Sequence, residues 1–131
     1  MKVELISIGD ELLIGQTVNT NASWLGETLS KAGAEIIKTV AISDKKNEII
    51  ASLNMIYDNT DCIIITGGLG PTKDDITKYT LAEYFGSKLK QDKHTLDKIE
   101  SFFSQRNRPM LDSNYKPVSY THLTLPTKVR V

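Results

Sequence analysis

One cysteine, Cys62, stands in the 131 residues, so no internal disulfide can form and the fold must rest on a buried core. Nowhere does an uninterrupted apolar run approach the roughly 20 residues of a membrane-spanning helix. The first residues also lack the apolar h-region of a secretory signal, and a cytoplasmic location is expected. There is no excess of either charge. Sixteen basic residues balance sixteen acidic ones, which argues against a broad nucleic-acid or anionic-membrane surface. Two nucleotide signatures are missing as well. No G-x-x-x-x-G-K-[ST] loop occurs, and Gly68-Leu69-Gly70 lacks the third glycine of the dinucleotide fingerprint, while Pro71 removes a backbone donor.

The composition that remains, 40% hydrophobic and 24% charged, is that of an ordinary globular domain large enough to bury a core without staples. Its organising stretch is Cys62-Ile-Ile-Ile-Thr-Gly-Gly-Leu-Gly-Pro-Thr-Lys-Asp-Asp-Ile-Thr77. The unbroken apolar run Cys62–Ile65 predicts a central strand buried on both faces, with Cys62 as a small core hydrophobe. Gly67, Gly68 and Gly70 then make a tight loop that lets backbone approach a ligand. Asp74 and Asp75 precede a helical pattern carrying Ile76, Leu81 and Phe85 and closed by Gly86. Two carboxylates there repel a bare phosphate, and a divalent, Mg²⁺-like cation would reverse that repulsion; the alternative is that they merely cap and charge a helix start.

Two further strands are expected, over Val3–Ile8 and over Glu35 to Ile42. After the first comes Gly9-Asp10-Glu11 and a short apolar loop, Leu12 to Gly15. Asn19, Thr20 and Asn21 offer N-caps for a helix with Ala22, Leu25, Leu29 and Ala32 on one stripe and Gly33 after its end. Trp24 lies off that stripe, which suits packing beside the loop or a subunit contact. Ser43-Asp44 starts a helix with Ile49, Ile50 and Leu53, ahead of the turn cluster Asp58–Asp61. Asp92 caps a last amphipathic helix with Leu96, Ile99, Phe102 and Phe103; His94, on its polar face, carries little functional weight. Alternating strands and helices make an α/β fold with right-handed crossovers. If the strands are parallel neighbours, Asp10 and Glu11, Asp44, and the glycine loop with Asp74 and Asp75 share one sheet edge, where such folds bind ligands.

Two motifs, Ile8-Gly-Asp-Glu-Leu-Leu-Ile-Gly-Gln-Thr-Val-Asn-Thr-Asn21 and Ile65-Thr-Gly-Gly-Leu-Gly-Pro-Thr-Lys-Asp-Asp-Ile-Thr77, resemble the N-terminal domain of the competence/damage-inducible protein CinA family. That domain is similar to the MogA/MoaB molybdopterin-binding fold. The resemblance implies a three-layer α/β/α sandwich with a largely parallel sheet over residues 1–116. It implies a ligand loop of Thr66, Gly67, Gly68 and Asp75, with a second site aspartate at Asp44. Gly70, Lys73, Asn21 and Glu11 join the expected ligand-binding set, and Asp74, Asp75 and Asp44 the expected metal ligands. Leu69 stands where the molybdopterin proteins have threonine, which favours the CinA branch.

The activity implied is a metal-dependent pyrophosphatase acting on ADP-ribose-like nucleotides in an intact parent, with Asp75 and Asp44 in the chemistry. The alternatives are a non-catalytic molybdopterin- or nucleotide-binding module, and a scaffold whose contacts matter more than its pocket. A homo-oligomer, dimer or trimer, is expected, with no nucleic acid or membrane partner. The nicotinamide mononucleotide deamidase domain that CinA proteins often carry has no counterpart in these residues. From Pro117 the chain leaves the family pattern. Val118-Ser-Tyr-Thr-His-Leu-Thr-Leu-Pro-Thr-Lys128 resembles translated adaptor or cloning read-through, so 117–131 is expected to be an irregular tail, with no functional weight for His122. A domain incomplete at its C-terminus is expected to be poorly stable or inactive.

Overall fold

The computed structural model describes residues 1–70, 76–89 and 92–111. Three parallel strands form its sheet: β1 (Lys2–Ile8), β2 (Glu35–Ile42) and β3 (Cys62–Thr66), in the order β2-β1-β3. Their C-terminal ends lie together, as expected. Ile8 pairs with Ile42 on one side, and Ser7 with Thr66 on the other.

That order decides where the helices go. The path from β1 to β2 carries α1 (Asp10–Leu13) and α2 (Thr20–Lys31), and the path from β2 to β3 carries α3 (Lys46–Asn54). The two paths run in opposite directions across the sheet, so right-handed crossovers place α2 and α3 on opposite faces. The side chains agree. Ile6 and Ile8 of β1 form one core with Ile49 and Leu53 of α3, joined by Val40, Ile42, Ile63, Ile65, Ile76 and Leu81. The alternate side chains of β1 face the other way, and Ser7 reaches Asn19 at the head of α2. Three layers result, α/β/α. Two more helices follow, α4 (Thr77–Tyr84) and α5 (Lys93–Gln105).

Local chemistry explains the element ends. The Asn19 side chain accepts from the Ala22 N–H at 3.1 Å to cap α2, and Asp92 accepts from Thr95 at 2.9 Å to cap α5. Gly33 follows α2 at φ 85° and Gly86 follows α4 at φ 62°, both in the left-handed region that closes helices.

Three expectations are corrected. β3 is not the central strand: among the described residues it lies at the sheet edge, and all five of its residues are only partly buried, Cys62 included. Among the described residues the central strand is β1, buried from Val3 to Ile8 and paired on both sides. The supposed loop after β1 opens with a helical turn, α1, in which Asp10 and Glu11 occupy the first turn and the Ile14 N–H bonds the Asp10 carbonyl at 3.2 Å. Asp44 does not start α3. Lys45 holds the N-cap position with no side-chain cap. Trp24, off the apolar stripe of α2 as read, is 64% exposed. Residues 117–131 lie outside the described residues.

One buried charge anchors the opposite end of the sheet. Glu4, 1% exposed, accepts from the Tyr57 N–H at 2.8 Å and the Thr60 hydroxyl at 2.5 Å, and faces the Lys38 ammonium at 3.3 Å. Burial pushes its carboxyl up, but the bonds from Thr60, Tyr57 and Lys38 outweigh it and hold the pKa below the ordinary value. Lys38 in turn donates to the Met55 carbonyl at 2.9 Å, so the cluster ties β1 and β2 to the turn before β3.

Candidate ligand site at the ends of β1 and β3

The sheet order reverses beside β1, since the chain leaves it for β2 on one side and returns to β3 on the other. Open α/β sheets bind ligands in the crevice that this reversal opens at the strand ends. A cleft of about 130 Å³ occupies that place, lined by Ile8, Glu11, Asn19, Asn21, Thr66 and Gly67 together with Leu12, Thr17, Val18 and Thr20.

Close backbone approach builds its floor. Gly67 has φ 96°, and a Cβ there would stand 1.9 Å from the Ile8 carbonyl oxygen. Only glycine fits a positive φ with backbone that near. Gly68, at φ 60°, lies against Thr77, whose hydroxyl would be 2.1 Å from an added Cβ. Thr77 is 1% exposed, and its hydroxyl has no hydrogen-bond partner among the described residues. Beneath the cleft runs a short polar chain. The Thr66 hydroxyl meets Ser7 Oγ at 3.4 Å, and Ser7 Oγ donates to Asn19 Oδ1 at 3.3 Å. Glu11 folds back so that its carboxylate lies over the Cα of Gly9, at the cleft rim.

Of the site residues expected from sequence, Glu11, Asn21, Thr66 and Gly67 therefore meet in one cleft. Gly68 adjoins it through Thr77; Gly70 and Asp44 are described but do not line it. Lys73, Asp74 and Asp75 lie outside the described residues. Asn19, Thr17 and Thr20 were missed as lining residues. The signal for Asn19 was present, because an N-cap at the head of the helix after β1 must sit at the strand ends. Among the described residues no three His, Cys, Asp or Glu side chains converge, and Glu11 is the one carboxylate on the cleft wall. The described residues thus do not by themselves make a divalent-cation site.

The architecture is a doubly wound α/β domain with a glycine-floored cleft at its strand reversal, the place where folds of this class bind their ligands. The chain belongs to the family described as Probable molybdopterin binding domain, which matches residues 4–129. A CinA-like protein of Salinibacter ruber is 46% identical over 108 residues, 82% of this chain and 26% of that protein. A Clostridioides difficile protein bearing the name competence-damage inducible protein is 42% identical over 120 residues, 92% of this chain and 29% of that protein. The chain thus spans under a third of the length of these relatives. The crystal structure of CinA from Thermoplasma acidophilum, a protein described as of unknown function, superposes with a TM-score of 0.75 at 28% identity, over 91% of this chain and 69% of that one. MoaB of Thermus thermophilus, a molybdopterin biosynthesis enzyme, shares the fold at a TM-score of 0.61 and 18% identity, over 90% of this chain and 70% of that one. Among the described residues, no helix is long and apolar enough to cross a membrane.

Proposed function

We propose that this domain binds a nucleotide containing a diphosphate bridge, of the ADP-ribose type, and hydrolyses that bridge with the help of a divalent cation. The observation that carries the reading is the meeting of Thr66, Gly67, Glu11 and Asn21 in one cleft at the strand reversal. Membership of a family with CinA-like relatives supports it further. The reaction adds water across the bridge, giving AMP and ribose 5-phosphate from ADP-ribose. The cation would be held by Asp44, Asp74 and Asp75.

A second reading, a pterin- or nucleotide-binding module without turnover, is favoured by the molybdopterin description of the family and by the shared MoaB fold. One assay separates the two. The chain is incubated with ADP-ribose with and without Mg²⁺, products are resolved by chromatography, and binding is followed by calorimetry. Metal-dependent AMP release supports hydrolysis. Binding without product at any metal concentration supports the module, and neither binding nor product sinks both.

A further inference from the structure

We infer that the cleft between Ile8 and Asn19 takes the neutral, hydroxyl-bearing part of the ligand, a sugar diol, with Glu11 accepting its hydroxyl protons and Asn19 donating to its oxygens. The inference rests on the nucleotide reading given above and assigns the ligand's orientation within that site.

Size is the first argument. At about 130 Å³ the cleft falls below the ~300 Å³ at which pockets for whole small molecules begin, so it holds one portion of a ligand.

Charge is the second. Among the described residues, the lining includes Glu11 and no lysine or arginine. An anionic wall without a basic partner disfavours a phosphate.

The helix end beside the cleft offers a phosphate little either. The Thr20 N–H bonds the Val18 carbonyl at 2.8 Å, the Ala22 N–H bonds Asn19 Oδ1 at 3.1 Å, and the Ser23 N–H bonds the Asn19 carbonyl at 3.3 Å. Two of the donors that make a helix start an anion site, the N–H groups of Thr20 and Ala22, are already used.

The orientation of the Asn19 amide completes the case. The Ala22 N–H can only donate, so the atom it meets must be the Asn19 oxygen, and Ser7 Oγ lies against the same atom at 3.3 Å. The amide nitrogen is thereby fixed on the other side of a residue that lines the cleft, and it donates to no described residue. A fixed NH₂ donor and a carboxylate acceptor in one small cleft complement a group that both accepts and donates. A sugar diol does so; a phosphate only accepts.

Calorimetry on the whole chain tests this with ADP-ribose and with ADP-ribose whose diols have been cleaved by periodate and reduced. The wild type should bind the intact ligand at least ~10-fold more tightly, the scale of a lost hydrogen bond to a charged group. Asn19→Asp keeps the capping oxygen but replaces the NH₂ donor, and Glu11→Gln replaces the acceptor charge. Each should weaken intact ADP-ribose by about 10-fold and lose most of the discrimination against the cleaved ligand, while thermal melting shows Asn19→Asp folded. A wild type indifferent to diol cleavage, or variants that discriminate as it does, would overturn the diol assignment alone. Failure of the wild type to bind ADP-ribose at all would overturn the nucleotide reading and the assignment with it.

Discussion

The carbonyl oxygen of Ile8, the last residue of β1, occupies the space that a Gly67 side chain would need, 1.9 Å from the position of its Cβ. The contact ties the end of β1 to the residue that leaves β3, and it sets the floor of the cleft. Gly67→Ala should therefore cost about 2–5 kcal/mol, combining a left-handed backbone for a non-glycine residue with overpacking against backbone. Urea unfolding measures it. A loss below 0.5 kcal/mol, in the range of about ±0.5 for ordinary surface changes, would mean that the two strand ends are not held this closely.

Glu4 makes stability depend on pH. Its native pKa lies below the ordinary carboxylate value, so the unfolded chain binds its proton more readily than the folded one does. The stabilisation is present above the unfolded pKa of about 4.3 and is lost as pH falls through the depressed native value. Glu4→Gln, which leaves Lys38 facing an amide, should cost about 2–3 kcal/mol at pH 7, a little under the scale for breaking a fully buried pair because Lys38 keeps the Met55 carbonyl. The variant should also show a shallower fall in stability below pH 5. Equal acid sensitivity in the two proteins would exclude Glu4 as its source.

All three strands were legible in the sequence, because β-branched runs such as Ile36-Ile37 and Ile63–Ile65 carry their own signal. Helix ends were legible where the cap is local: Asp92 lies three residues from the N–H it accepts, and Gly33 and Gly86 take the positive φ that glycine permits. Which strand lies in the middle was not legible. β3 carries the unbroken apolar run while Glu4 and Ser7 interrupt β1, and pairing order is set by crossovers, not by composition. Glu4 was invisible for a related reason, since its partners Tyr57 and Thr60 come from 53 and 56 residues away. The cleft was half legible. Glu11, Asn19, Asn21, Thr66 and Gly67 all lie in recognisable motifs, but the sequence marks Asn19 only as a helix cap, and which way its amide is turned is seen only once its oxygen is found engaged by Ala22.

Asp75 tests the catalytic half of the proposed function, through a residue placed in the chemistry by resemblance alone. Asp75→Asn preserves size while deleting the charge that a cation needs. Stability should change by no more than ~1 kcal/mol, whereas ADP-ribose hydrolysis should fall at least ~100-fold, the scale for removing a group that stabilises transition-state charge. Excess Mg²⁺ should recover little of it. Lost stability with turnover per folded molecule intact would make Asp75 a structural residue and move the chemistry to Asp44 or Asp74.

The polar chain under the cleft predicts coupling between Ser7 and Asn19. Ser7, 2% exposed, lies between the Thr66 hydroxyl at 3.4 Å and Asn19 Oδ1 at 3.3 Å. Ser7→Ala leaves the Thr66 hydroxyl without that acceptor, at a cost of about 1 kcal/mol, the lower end for an unsatisfied buried group because both contacts are long. Asn19→Ala removes the cap of α2 and should also cost about 1 kcal/mol. Once Asn19 is gone, Ser7 has already lost its link to the helix, so the double variant should fall short of the sum by about 0.5 kcal/mol, the lower bound for residues in one hydrogen-bonded network. Urea denaturation of the four proteins closes the cycle. Strict additivity would show that Asn19 is oriented by Ala22 alone, and that β1 does not hold the head of α2 through Ser7.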